Sequence, residues 1–316
     1  MKIKKINIFI KELKAFGIYI AITNLLWPYI VKMPHSIALE IMKRKHQMVF
    51  KYLKDICLRN ENYSSNTETS NKVSFLSEPI WVCWLQGEDK MPLLCKSCLE
   101  SLKKHSGDHP VVFITETNFS DYCYIPSYII EKYRTGVIRP AHFADIIRTC
   151  LLYEHGGLWI DSTIFVTRNL PEEIFKSQYF SIKYPNTGYY ITECKWSNFF
   201  LAAKPKSEWY AFVRNCFFLY LKYNNLFVDY FMMDYIMKWA YENNLKIKKD
   251  VDSIPYNNNN ILSLSQNLSA VIDERSRQII DGETYLFKLS WRITPIEEID
   301  GAKTVWAYLN SYNSLI

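Results

Sequence analysis

Apolar and polar positions divide the chain into segments of different period. Residues 3–58 read as helical with a break near Met33-Pro34, and residues 59–72 are polar and rich in Ser and Asn, as a linker is. A short apolar run, Ile80 to Trp84, follows between Pro79 and Gln86-Gly87 and predicts a buried strand. Pro92 opens a helical stretch through Lys104, with the proline near the first turn where it is tolerated. Pro110–Thr115 predicts a second strand and Ile125–Tyr133 a helix. Pro140–Tyr153 is amphipathic, with Ile146, Ile147, Cys150 and Leu151 on one side. Gly156-Gly157 ends it, since a glycine past a helix adopts the left-handed conformation cheaply. Leu158–Ile160 is then a strand with Asp161 at its exit.

Strand and helix alternate through this stretch, which predicts an α/β fold with a mixed, mostly parallel sheet. Beyond Leu170 the pattern is mixed. Helices are expected at Glu208–Tyr223 and Tyr230–Glu242, a loop at Tyr256–Asn260, and a late strand at Tyr285–Leu289 leading into Ser290-Trp291. There is no internal repeat. The expected organisation is a helical region over residues 1–58, a linker over 59–72 and one α/β domain over 73–316.

The length, 316 residues, suits one large domain, and 49% apolar with 22% charged residues is the composition of a folded chain. Aromatic residues make up 16%. Ring faces can cover the C–H face of a sugar, but A/T-rich codon usage explains the aromatics together with the many Lys, Ile and Asn. Charge changes the picture more. Residues 1–55 hold eleven Lys and Arg against three acids, a balance of +8, which leaves −2 on the rest of a chain whose net charge is +6. A basic segment beside apolar residues points to an anionic membrane surface, where each Lys or Arg adds about 1 kcal/mol. A body of −2 without a nucleic-acid motif argues against nucleic acid.

Ala15–Val31 is apolar but short for a membrane span, and Thr23, Asn24 and Pro28 interrupt it. No signal-peptide cleavage pattern accompanies it. Two expectations remain open: a helix lying in the membrane interface, or one packed on the catalytic domain. The first places the protein at the cytoplasmic face of the plasma membrane as a peripheral protein.

Eight cysteines sit mostly in apolar runs, so buried free thiols are expected rather than a disulfide scaffold. Cys95 and Cys98 with His105 and His109 have a Cys–His gap too short for a typical zinc finger, and the Cys95–Cys98 segment reads as a helix. The glycosylation triplets at Asn62, Asn118 and Asn267 carry little weight in an Asn-rich chain.

The informative stretch is residues 141–163, AHFADIIRTCLLYEHGGLWIDST. Asp145 and Arg148 lie three apart on one helix and can point the same way. Asp161 lies at the carboxyl end of a strand, where open α/β sheets bind ligands, and its carboxylate suits a divalent cation or a ribose hydroxyl. Thr163 can face the same side. Singly, these residues have ordinary explanations, a surface ion pair and a turn cap; together they point to a site.

Asp145, Arg148, Leu151, Gly156, Gly157, Trp159 and Asp161 match the pattern of the DxD-containing sugar transferases of glycosyltransferase family 32. The chain resembles still more closely their bacterial relatives, the capsular polysaccharide synthesis proteins. Trp81, Trp84, Gln86, Gly87 and Pro92 repeat a strand and Pro-started helix of those relatives, and Gly-Gly-x-Trp-x-Asp-x-Thr is their form of the motif. The resemblance is carried by residues 78–175 and fades towards residue 295.

That resemblance implies a GT-A fold, a nucleotide-sugar donor (a UDP-sugar first), a lipid-linked glycan acceptor, a divalent Mn²⁺ or Mg²⁺ and transfer with retention. It implies that Asp145 and Arg148 hold the donor sugar and act in catalysis with Asp161. Trp159 would line the nucleotide pocket, Asp161 would reach the ribose or the metal, and Trp81, Val82 and Trp84 would border the base. Ser290 and Trp291 would close over the diphosphate. Two departures stand out. Ala144 replaces a serine, and Thr163 stands where the second acid of DxD would complete the metal pair with Asp161, although a neutral hydroxyl binds such ions less strongly. Thr163 therefore motivates a rival reading, a relative that binds a sugar nucleotide without transfer; an N-terminal assembly role is another. A kinase ranks last, since no Walker-type loop is present. Should the enzyme invert, Asp229 or Asp234 would be the base; otherwise both are solvated acids on an amphipathic helix.

Overall fold

The structure, a computed structural model, describes residues 2–61, 73–185 and 188–314. Three helices come first: α1 (Lys2–Phe16), α2 (Ile18–Ile30) and α3 (His35–Glu61). The body then runs β1 (Ile80–Cys83), α4 (Leu93–His105), β2 (Val111–Ile114), α5 (Phe119–Tyr122), α6 (Ser127–Arg134), α7 (Pro140–Glu154) and β3 (Gly157–Ile160). It continues through β4 (Ile164–Val166), α8 (Glu173–Lys176), β5 (Tyr179–Ser181), β6 (Phe200–Ala203), α9 (Glu208–Tyr223) and α10 (Met232–Asn243). Last come α11 (Leu245–Asp252), α12 (Glu274–Asp281), β7 (Leu286–Lys288), β8 (Glu298–Ile299), β9 (Ala302–Lys303) and α13 (Val305–Ser314).

Five strands form the central sheet in the order β2-β1-β3-β6-β5. β1 pairs in parallel with β2 and β3, and β6 is antiparallel to both β3 and β5. Four of the five strands thus point one way. The mixed, mostly parallel α/β sheet expected from the sequence is present. β4 and β7 form a separate antiparallel ribbon.

The period-two rule of strands sorts each central strand onto two cores. Ile80, Val82, Leu158, Ile160, Phe200 and Ala202 join α4, the β4–β7 ribbon and α13 on one face. Trp81, Trp159, Leu201 and Ala203 join α7, α9, α10 and part of α3 on the other. Both faces are covered, which is why these strands read as continuous apolar runs.

Gly156 and Gly157 have φ of +67° and +81°. A Cβ on Gly157 would lie 2.1 Å from the Pro79 carbonyl oxygen, which accepts a hydrogen bond from Leu158 N at 2.9 Å. The glycine pair therefore reverses the chain and lets β3 press against the start of β1.

The N-terminal helices are part of this body. Val49, Leu53 and Cys57 of α3 are buried in the larger core, and Asn60 Nδ2 donates to Phe212 O of α9. The helix extends to Glu61, so residues 59–61, expected in the linker, are helical; the rest of that linker, 62–72 with the Asn62 triplet, lies outside the described residues. Gly17 (φ +84°) adds a break, between α1 and α2, that the sequence pattern did not reveal. α2 buries Ile20, Ala21 and Ile30 but exposes Ile18, Ile22, Leu25, Leu26 and Tyr29. No helix among the described residues is long and apolar enough to cross a membrane.

All eight cysteines are free, and seven are buried. His109 stacks on Phe175 with ring centroids 3.5 Å apart and meets Glu78 O, and His105 meets Asn169; neither turns to Cys95 or Cys98.

Candidate functional site

A cavity of about 840 Å³ opens beyond the carboxyl ends of β1 and β3. That is the size of a small-molecule site and the end of the sheet where α/β proteins bind ligands. Its floor is the loop after β3, its walls come from α7, α10 and residues 189–192, and α2 and α3 close one side with Trp27, Met42, Lys45 and His46.

Asp161 is the hub. Its Oδ1 accepts from Trp159 Nε1 at 3.0 Å and from Arg148 Nη2 at 3.4 Å, and its Oδ2 accepts from Lys288 Nζ at 2.8 Å. Burial works to raise this carboxyl, but the Lys288 and Arg148 charges outweigh it and hold Asp161 below the usual carboxylate range. It is an anion. Lys288 Nζ also donates to Thr163 Oγ1 at 2.6 Å. Pairing of β4 with β7 sets this meeting, since Ile164 and Lys288 are register partners.

Arg148 lies 7% exposed between the two acids. Nη1 donates to Asn198 O at 2.7 Å, Nη2 sits 3.4 Å from Asp145 and from Asp161, and the guanidinium lies 4.7 Å from the centre of the Trp159 ring. Ion pairs at 3.4 Å are long for charge-assisted bonds, so this cation is only loosely committed to its acids. Asp145 is pushed up to about 6 by burial, which Arg148 opposes and Asp161 reinforces. Among the described residues, three buried polar atoms of cavity-wall residues have no partner: Trp84 Nε1, Arg148 Nε and Asn198 Oδ1. Buried groups of this kind are ordinarily hydrogen-bonded, so their concentration here fits a polar ligand.

The capsular polysaccharide synthesis protein model matches residues 31–309. The chain belongs to that family. No curated protein and no solved structure matches it. The family match begins just after α2, so it takes in α3 and the wall that helix supplies. A member of the capsular polysaccharide synthesis family has a role in making capsular polysaccharide.

In this family member the structure brings Trp84, Asp145, Arg148, Trp159, Asp161, Thr163 and Trp291 together on one cavity. Trp291 is half exposed and meets Trp84 edge-to-face, ring centroids 6.2 Å apart, across the mouth. Three expected site residues stand elsewhere. Trp81 points into the larger core and donates from Nε1 to Gly156 O, and Val82 points into the other core, because alternate strand residues face opposite sides. Ser290 is not on the cavity wall.

Asp229 and Asp234 are not solvated. They are 3% and 4% exposed and line the cavity: Asp229 lies in the turn before α10, and Asp234 is on α10, which is buried without interruption from Met232 to Lys238 rather than on one stripe. Asp229 pairs with Lys45 at 2.5 Å. Asp234 accepts from Trp196 Nε1 at 2.9 Å, and burial pushes it up to about 7.

Sequence reasoning missed Lys288 and the α2–α3 wall. A lone lysine inside the apolar run Tyr-Leu-Phe-Lys-Leu was the available signal for Lys288. The resemblance assigns a divalent ion to Asp161 and Thr163. As arranged, these residues do not fit one: both facing oxygens already accept from the Lys288 ammonium, and one carboxylate with one hydroxyl falls well short of the oxygen shell that such ions take.

Proposed function

We propose that the protein is a GT-A glycosyltransferase that moves a sugar from a nucleotide-sugar donor, a UDP-sugar first, to a growing lipid-linked capsular or other cell-surface polysaccharide. The observation that carries this reading is the convergence of Arg148 and Lys288 on Asp161 in an aromatic-walled cavity at the carboxyl ends of β1 and β3. Two cations at one point suit a diphosphate, and ring faces such as Trp84 and Trp291 suit a base or a pyranose.

In the proposed reaction the bond from the anomeric carbon to the phosphate oxygen breaks through an oxocarbenium-like transition state. The acceptor oxygen bonds to that carbon, and the leaving nucleoside diphosphate keeps the electron pair. Arg148 and Lys288 meet the charge that develops on it. Asp161 holds both cations in place, and Asp145, on the same guanidinium, faces the donor sugar. With retention the departing phosphate takes the acceptor proton, so no separate base is required.

A second reading, inversion, draws on one observation. Asp234 is on the cavity wall, has no ion-pair partner among the described residues and is pushed up to about 7, the range that suits a general base. NMR of the product anomer separates the two: retention excludes Asp234 as the base, and inversion with a rate lost in Asp234→Asn assigns it.

The exposed apolar side of α2, with Lys11, Lys14 and Lys32 near it in sequence, supports peripheral attachment to an anionic membrane surface, where a lipid-linked acceptor would reside. The testing experiment is donor hydrolysis by the full chain against UDP-, GDP-, CMP- and dTDP-sugars beside Asp161→Ala. Nucleotide release from one donor, lowered about a hundredfold or more in the variant, supports transfer. Donor binding without release, with and without a lipid-linked acceptor, would favour the non-catalytic relative.

A further inference from the structure

The reading as a nucleotide-sugar transferase leaves open what neutralises the diphosphate, and this inference rests on that reading. We infer that Lys288 takes the position and the electrostatic role of a divalent cation, so that this protein binds nucleoside diphosphates without metal. Three observations carry it. Lys288 Nζ bridges Asp161 Oδ2 at 2.8 Å and Thr163 Oγ1 at 2.6 Å, the two oxygens a bound ion would need. Lys288 lines the cavity and is 23% exposed, so its third N–H can reach a ligand. Thr163 carries no charge, and this matters for the balance. Two acids with a divalent ion sum to zero; Asp161 with Lys288 also sums to zero.

In this chain a neutral Thr163 and a cationic Lys288 thus stand together where a second acid and a divalent ion would otherwise be needed. An ion seated on Asp161 would sit against an ammonium held 2.8 Å from the same carboxylate, and like charges at that range repel strongly. Thr163 accepts from Lys288 and keeps its own proton, which can go to a phosphate oxygen. Arg148 supplies the second cation from the other carboxylate oxygen. The phosphates thus meet two side-chain cations and a hydroxyl, all placed before the ligand arrives.

Calorimetric titration of UDP, GDP and dTDP into the full chain, once in EDTA and once in Mn²⁺, tests this. For whichever nucleotide binds, the Kd is expected to agree within about twofold between the two buffers, and Lys288→Met is expected to weaken binding about tenfold or more. A second variant, Thr163→Asp with Lys288→Ala, creates an acid pair with Asp161, and its binding is expected to need Mn²⁺. Wild-type binding that vanishes in EDTA overturns the inference while leaving the transferase reading intact, and this arm requires no variant to fold. Failure of all three nucleotides to bind in either buffer overturns both.

Discussion

Lys45 Nζ lies 2.5 Å from Asp229 Oδ2, and the two side chains are 4% and 2% exposed. One belongs to α3, the other to the turn before α10, and both line the cavity. This buried ion pair fastens the N-terminal helices to the wall of the site. A buried pair adds little over apolar packing, but losing one partner strands the other charge. Lys45→Met is therefore expected to cost about 3–5 kcal/mol of unfolding free energy, and the double variant Lys45→Met with Asp229→Leu to recover most of it. Urea denaturation of the three proteins measures this. Equal losses in the single and double variants would show that the pair is solvated.

The same fastening changes how membrane attachment must be tested. Deleting residues 1–55 would strip Val49 and Leu53 from the core and Trp27, Lys45 and His46 from the cavity, so it would damage the body. Leu25 and Leu26 are 46% and 40% exposed on α2 and support no core. Replacing both with serine is expected to leave stability within about 0.5 kcal/mol. It should lower binding to phosphatidylserine-containing vesicles about tenfold or more, from the lost apolar burial. Cosedimentation reads it, and unchanged binding would remove α2 from the attachment surface.

Gly157 offers a sharper test of how the site is held. At φ +81° an added Cβ would lie 2.1 Å from the backbone oxygen of Pro79, and backbone cannot swing aside as a side chain can. Gly157→Ala is expected to destabilise by about 3 kcal/mol or more, combining left-handed strain with the clash. Because β3 delivers Trp159 and Asp161, nucleotide binding should fall with stability. A thermal melt within a degree or two of wild type would mean that the turn has another way to form.

What the sequence made legible was local. The Ile80 and Leu158 runs, the α7 period and the glycine pair before Asp161 each declare themselves within a few residues, so the centre of the sheet and the placing of Asp145, Arg148 and Asp161 on one cavity were legible, while Trp159 was singled out only by the family resemblance. β5 and β6 were not: Phe200–Ala203 is four residues of Phe, Leu, Ala and Ala, and only its pairing with β3 and β5 makes it a strand. Lys288 is 127 residues from Asp161, and nothing local shows that the ribbon carries it there. Lys45 is one of the eleven Lys and Arg of residues 1–55, yet its charge faces Asp229 in the interior rather than a membrane. Trp81 illustrates the reverse error, since a motif tryptophan on the neighbouring strand position turned into the core.

His46 gives the pH prediction. Its Nδ1 lies 2.7 Å from Tyr235 Oη and its Nε2 3.3 Å from Tyr189 O, and burial pushes its pKa from the usual 6.5 down to about 4. The folded protein therefore keeps the ring neutral while the unfolded chain takes up a proton below about 6.5. Stability from this residue is fully present above 6.5, falls as pH drops towards 4, and levels off below that; the loss is about 3 kcal/mol. His142, also pushed down to about 4, acts in the same direction, whereas Asp145 and Asp234, pushed up, gain stability over the acid range and blunt the total. The difference between wild type and His46→Gln isolates one ring. Wild-type stability relative to the variant should decline by about 3 kcal/mol between pH 7 and pH 4. A difference that stays flat over that window would mean that His46 charges freely in the folded protein, and that the wall formed by α3 is open to water.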